Sequence, residues 1–440
     1  MAARLDFSDV VDWAWDGPDS ALIGRKARLL LLDSLGCALS GMRYGRTRQL
    51  AGATATWMPG SIRLPGRTPP LSLGGAASVL GAAMCWDEAN DGLARSHGRP
   101  GLPVAALVLA ALEAGKLTLG EAVTVYALGY EVGARAGEVW RVGPGLHVDG
   151  SWHSLGAAAA AARIAGGSRA TAARAVRLAA CQIPLSLYAP ITAGMDGRNS
   201  YASHAVLLGM MAAASGEAGL DAPADALDGA RLFVAPKEEP AVYTGAGRWL
   251  LAEGYLKPYA GVRHTHYGAA AALRLHPSVG YRLEAVRSIK LITYGEAIQY
   301  CGGRSPRTSI AAQFSLSWAC AAALARGNLD PDAFNETALG DPRIRALESR
   351  IEVIEDPAYT AAGRRAAHLT LEMSDGTLSA RAEPVLGDPE APMSETEAVA
   401  KFRSFAGSSL GEAAAKTLVE AILLGSQDSK LTGKLFAAAG

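Results

Sequence analysis

The chain has 440 residues and balances 42 Lys plus Arg against 42 Asp plus Glu, so no net field of one sign draws it to nucleic acid or an anionic membrane, and any anion binding must be local. Hydrophobic residues are 50% and charged residues 19% of the chain, which excludes a disordered protein and predicts two or three domains, or one large domain with an insertion. Five scattered cysteines, Cys37, Cys85, Cys181, Cys301 and Cys320, form no C-x-x-C pair and read as reduced core thiols rather than a disulfide framework or a zinc site.

The first twenty residues are acidic and lack the basic start and apolar core of a signal peptide. No stretch is long and apolar enough to span a bilayer, so a cytoplasmic protein is expected. Ala/Leu/Val-rich segments with apolar positions three and four apart predict helices over 23–40, 71–87, 102–114, 118–136, 153–164, 168–181 and 203–216. The fourth opens on Thr118-Leu-Gly-Glu121, a capping-box signature. After Lys257 the texture changes. Strands are predicted over 286–293, 351–355, 368–373 and 378–382, the last two joined by Ser374-Asp-Gly-Thr as a hairpin, with a helix over 309–326. From about 395 the helical texture returns, best over 412–424. The fold class expected is therefore mainly α: an all-helical domain (1–255, completed by 395–440) with an inserted α+β domain (256–394), and a cleft between them. There is no phosphate-binding loop of the G-x-x-x-x-G-K-[ST] type and no G-x-S-x-G elbow, and Gly74-Gly75 lies in a helical run without a preceding strand, so phosphate chemistry is not expected.

Three stretches concentrate ionisable groups against this apolar background. In Trp86-Asp87-Glu88-Ala89-Asn90-Asp91 through His97, a helix ends in acids and a histidine follows, which suits general acid–base chemistry, with a solvated capping loop as the default alternative. The second, Gly145 to His153, carries His147 and His153, six apart across a glycine, so they share no helical face, and capping or packing competes with catalysis for each. The third, Lys257-Pro-Tyr-Ala-Gly-Val-Arg263-His264-Thr-His266, gathers two cations and two histidines at the domain boundary. Arg can grip a carboxylate through two parallel bonds and Lys can act as a point charge or titrating base, while a solvated basic loop is the alternative. No acid accompanies His264 and His266, so no metal is expected there.

These residues, in this order, resemble the MmgE/PrpD family, which includes 2-methylcitrate dehydratase, cis-aconitate decarboxylase and iminodisuccinate epimerase. The resemblance rests on Asp33-Ser-Leu-Gly-Cys-Ala-Leu-Ser-Gly41, Asp87-Glu88, Gly129-Tyr-Glu-Val-Gly-Ala-Arg135, Ser154-Leu-Gly-Ala-Ala-Ala-Ala, Lys257-Pro-Tyr with Arg263 and Thr265-His266, and Pro306 to Leu316. It implies a large helical domain with a smaller α+β lid, a homodimer, and a cofactor-independent site for a small carboxylate, without nucleic acid or membrane partners. By position it places Asp87, His97, His147 and Lys257 on catalytic positions, and leaves His153 secondary. The segment containing Arg198 and Tyr201 aligns with one where the dehydratases and the decarboxylase carry a lysine. Arginine holds its proton, so Arg198 can bind a carboxylate but not exchange protons.

The roles expected are His147 or His97 as acid or base, Lys257 as proton donor or clamp, Asp87 orienting a histidine, and Arg198, Arg263, His266, Tyr201 and His153 around the substrate. The activity expected is a hydro-lyase on a hydroxy di- or tricarboxylate. The alternatives are an epimerase or isomerase working by proton exchange, then a decarboxylase, and, outside catalysis, an inactive protein that binds a small acid. The Lys-poor, Ala-, Gly- and Arg-rich background fits a bacterium with a GC-rich genome.

Overall fold

The computed structural model describes residues 5–140, 142–228, 243–437 and 439. Helices dominate its first half. Ala21–Gly41, Leu73–Cys85, Gly101–Glu113, Leu119–Val139, His153–Ile164, Arg169–Ala180 and Tyr201–Glu217 pack face to face. Four of them begin at a side chain that satisfies a free N–H: Ser20, Ser72 and Ser168 accept from the backbone three residues on, and Thr118 with Glu121 forms the expected capping box. The predicted helix over 71–87 is shorter at both ends, because Ser72 caps it and the chain leaves the helix after Cys85.

Small residues let these helices approach closely. The helix His153–Ile164 carries an alanine run that is fully buried between Leu119–Val139 and Tyr201–Glu217. A β-carbon on Gly156 would lie 2.4 Å from the carbonyl oxygen of Gly129, and one on Gly209 would lie 2.7 Å from the backbone of Ala157. Backbone cannot turn aside as a side chain can. Gly156→Ala is therefore expected to cost about 1–3 kcal/mol through overpacking, read by urea denaturation, and wild-type stability in that variant would show that the helices separate freely.

The second half holds a four-stranded sheet in the order Ile351–Glu355, Val286–Thr293, Ala367–Met373, Gly376–Ala382. The first pair is parallel and the others antiparallel, with Ile289 opposite both Ile351 and Leu371. Ala367–Met373 and Gly376–Ala382 form the predicted hairpin, closing at Met373 opposite Gly376. Ile289, Leu291, Leu369 and Leu371 are buried, and helices His266–Val279 and Leu316–Arg326 pack against each other, the first also covering strands of the sheet. The run expected as one helix over 309–326 is two, Ser309–Gln313 and Leu316–Arg326. Ser315 turns extended and its hydroxyl caps the second helix by accepting from the Trp318 N–H, a break that continuous apolar periodicity hides.

The helix Glu395–Leu410 returns to pack on Ala21–Gly41, and the buried Lys401 ammonium it carries pairs with Asp33. Among the described residues, no helix is long and apolar enough to cross a membrane.

Candidate active site

The three polar stretches meet around residues 85–89. The helix Leu73–Cys85 ends there, and a helix terminus leaves carbonyl oxygens without intrahelical partners and concentrates partial negative charge. Five consecutive carbonyls are met by donors from distant parts of the chain. Arg198 Nη1 donates to Cys85 O at 3.1 Å, Gln313 Nε2 to Trp86 O at 2.8 Å, the Gly261 N–H to Asp87 O at 2.9 Å, Lys257 Nζ to Glu88 O at 2.6 Å and Lys401 Nζ to Ala89 O at 2.6 Å. Glu88 takes a left-handed φ of 52°, a conformation tolerated only where surroundings hold it.

That geometry leaves the Glu88 side chain among cations. Its Oε1 pairs with Arg198 Nη2 and lies 3.2 Å from Arg99 Nη1, and its Oε2 lies 3.6 Å from Lys257 Nζ. Arg99 also grips both oxygens of Asp149, with Nε 3.3 Å from Oδ1 and Nη2 paired to Oδ2. Asp149 in turn faces His147 Nδ1 at 3.7 Å and His153 Nε2 at 3.8 Å. All of these groups except His147 are less than 9% exposed, so the cluster is screened little by water.

The charges inside the cluster decide the protonation of its members. Arg99 and Arg198 balance Glu88 and Asp149, two against two, so an added proton on Lys257 would be an uncompensated buried charge. Burial, with Arg99 and Lys401 repelling a further cation, holds the Lys257 amine well below the ordinary lysine range. Burial alone would raise the Asp149 carboxyl, but Arg99 and the two histidines hold it below the usual carboxylate value. Burial depresses His147 as well, and pushes His153 down to about 4, so both imidazoles are neutral near pH 7. The Asp149 N–H donates to His147 Nδ1 at 3.1 Å, which puts the proton of the neutral ring on Nε2. His147 lies on the short strand Leu146–His147, paired with Ser186–Leu187, and its ring neighbours Tyr188 and Tyr201 at 5.8 and 6.0 Å.

The other residues singled out in the sequence fall around this cluster. Asp87 is buried beside it, but its Oδ1 accepts from the Tyr44 hydroxyl at 2.7 Å rather than from a histidine, and burial raises its carboxyl to about 6. The carboxylate beside the histidines is Asp149. His97 is exposed at the left-handed end of the turn Ala94–Ser96. Tyr201 donates its hydroxyl to Leu187 O at 2.7 Å. Arg198 is fully buried, and Arg263 is paired with Asp388 and donates to Leu386 O at 3.2 Å. His266 uses both ring nitrogens, one 3.3 Å from Arg263 Nη1 and the other 3.1 Å from Gly261 O, and burial holds it well below the ordinary histidine value. Arg99, Glu88, Asp149, Gln313 and Lys401 were not read as site residues. Arg99 and Asp149 lie in or beside the polar stretches, but a contact fifty residues apart leaves no local signal. Among the described residues no group of three or more His, Cys, Asp or Glu side chains is placed to hold a metal ion.

Rings from both halves of the chain adjoin the cluster. Tyr188 stands 5.7 Å from Tyr300 and 6.4 Å from Phe314, and Tyr300 stacks on His264 at 5.7 Å. Lys257, Gly261 and Gln313 belong to the second half of the chain and meet the end of a helix from the first.

The same two halves appear in comparisons with known proteins. Residues 13–240 match the MmgE/PrpD N-terminal domain and residues 259–424 the MmgE/PrpD C-terminal domain. The chain is 26% identical over 405 residues to the 2-methylcitrate dehydratase of Escherichia coli strain K12, covering 84% of this chain and 82% of that protein. It is 28% identical over 399 residues to the 2-methylcitrate dehydratase of Cupriavidus necator, covering 82% and 80%. With both family domains matched in order over most of its length, the chain belongs to the MmgE/PrpD family.

Proposed function

We propose that this protein is a hydro-lyase that dehydrates a hydroxy di- or tricarboxylate at the cluster around residues 85–89, with 256–394 closing over it as a lid. The observation that carries the reading is a buried amine, Lys257, set in a cluster whose other cations are already matched, where burial holds it well below the ordinary lysine range. A neutral amine can remove the proton next to a carboxylate, the first requirement of such an elimination. His147, with its proton on Nε2, supplies a hydrogen-bond donor for the charge that develops on the substrate. Arg99 and Arg198 hold Glu88 and Asp149 in place. In this reading they position the site, and the substrate carboxylates are met by Lys257 once it is protonated and by His147. The dehydratase relatives support the elimination over other reactions of the family.

A second reading, an epimerase or isomerase, is favoured by one feature. Arg198 stands where a lysine was expected from the resemblance and is fully buried on protein partners, which leaves Lys257 as the titrating amine bonded to this loop beside Glu88 and suits one-site proton exchange. Proton NMR of the protein with citrate, 2-methylcitrate, cis-aconitate and iminodisuccinate in deuterium oxide separates the two. New alkene signals from a hydroxy acid are expected: a vinyl proton from citrate, or an allylic methyl singlet replacing the methyl doublet from 2-methylcitrate. Deuterium wash-in or epimer formation without an alkene would replace dehydration by isomerisation, and four unchanged substrates would remove the hydro-lyase reading for this acid class.

A further inference from the structure

Two buried lysine nitrogens sit on neighbouring carbonyls of one loop: Lys257 Nζ on Glu88 O and Lys401 Nζ on Ala89 O, both at 2.6 Å. Lys401 comes from the helix Glu395–Leu410, more than 140 residues beyond Lys257 in sequence, and its ammonium also pairs with Asp33 on the helix Ala21–Gly41 and lies over the Phe405 ring. Successive carbonyls of an irregular loop lie a few ångströms apart, so the charge on one lysine bears directly on the other in this dry surrounding.

We propose that Lys401 is a positioning residue for Lys257: its ammonium, fixed one peptide along the same loop, keeps the Lys257 amine uncharged and ready to take a proton. The inference rests on the reading of Lys257 as the proton-accepting group. Burial acts first on this amine and Arg99 adds to it, and the Lys401 ammonium supplies the next repulsion. Lys257 faces the cations Arg99 and Arg198, the carboxylates Glu88 and Asp149, Asp33 beyond Lys401, and the neutral rings of His147, His264 and His266. The two arginines are matched by the two nearer carboxylates, which leaves the Lys401–Asp33 pair, and of that pair it is the ammonium that shares the loop with Lys257. Burial alone would depress Lys401 too, but Asp33, with Cys37 and Asp91 nearby, holds it above the ordinary lysine value, so Lys401 keeps its proton more tightly than Lys257. The two lysines thus divide the roles of fixed charge and titrating amine.

The chain has nine lysines, few enough for each to be followed by NMR of protein labelled with carbon-13 at lysine Cε, with the Lys257 signal identified by its loss in Lys257→Met. In the wild type the Lys257 midpoint is expected below that of an ordinary lysine. Lys401→Gln keeps a donor for Ala89 O and Asp33 but removes the charge, and Asp33→Asn/Lys401→Met removes both members of the pair so that no buried ion is left alone. In both variants the Lys257 midpoint is expected to rise by about one unit or more, and in Lys401→Arg to stay low. A Lys257 midpoint that is ordinary in the wild type, or that stays or falls in the folded charge-free variants, overturns the proposal. No substrate is present in this titration, so failure of the dehydration assay and failure of this inference are separate results.

Discussion

Arg99→Met is expected to lower the stability of the fold by about 3–5 kcal/mol, the usual cost of leaving buried carboxylates without their cation. Arg99 spans the cluster: one end of its guanidinium holds both oxygens of Asp149, and Nη1 reaches Glu88 at 3.2 Å and Asn90 at 3.5 Å. Methionine fills much of the same space but supplies no charge, and Arg198 would be left to serve both carboxylates. The pH dependence has a definite sign. In the wild type the folded Asp149 carboxyl lies below its unfolded value, so the stability it contributes is present at neutral pH and lost as pH falls through the ordinary carboxylate range and below. In the variant burial is opposed only by the more distant Arg198, 3.7 Å away, and raises that carboxyl, so the folded state binds the proton more tightly and stability falls as pH rises from acid to neutral. The gap between the two proteins should therefore be largest above about pH 6 and narrow as pH falls, closing most below the ordinary carboxylate range, measured by urea denaturation at several pH values. Arg99→Met/Asp149→Asn should recover part of the loss, because the neutral amide carries no charge to bury. A single variant within about 1 kcal/mol of wild type at pH 7 would mean that water reaches these carboxylates and that the cluster is not dry.

The helices were legible because their signals are local. Thr118 and Glu121 form the cap that their spacing announces, and Asp375-Gly376 closes the hairpin between strands whose alternation is plain. The break at Ser315 was not, since it depends on an extended serine inside an unbroken apolar run. The candidate site divides in the same way. Clusters of ionisable residues in an apolar chain marked the stretches 86–97, 145–153 and 257–266, and all three contribute to the assembled cluster. Which member of each stretch faces inward was hidden, because it depends on backbone direction. Glu88 turns in through a left-handed φ while Asp87 turns to Tyr44, and Asp149, between the two histidines in sequence, is the residue that both flank. Lys401 lay in a helix without motif, and only packing against Ala21–Gly41 brings it to Ala89.

Lys257→Met is expected to reduce kcat by about 10²- to 10⁴-fold, the range usual for a group that transfers a proton in the rate-limiting step, while the melting temperature changes little. The structural loss is one hydrogen bond, to Glu88 O, and the variant also removes an amine whose protonation the cluster resists. The pH profile distinguishes a base from a clamp. If the neutral amine removes the substrate proton, activity rises as pH climbs through the depressed Lys257 midpoint, and that acid limb vanishes in the variant. Lys257→Arg then fails to rescue kcat, because a guanidinium stays protonated across the accessible range. If Lys257 instead only grips a carboxylate, Lys257→Arg should keep most of kcat, the change should appear in KM, and the acid limb should remain. Small primary amines added to Lys257→Ala give a third discriminant: a missing base is replaced in proportion to the free amine concentration, whereas a missing clamp is restored by the ammonium form. Rescue that follows the ammonium, or a Lys257→Arg variant with kcat near wild type, would move proton abstraction to another group and leave Lys257 as a substrate anchor.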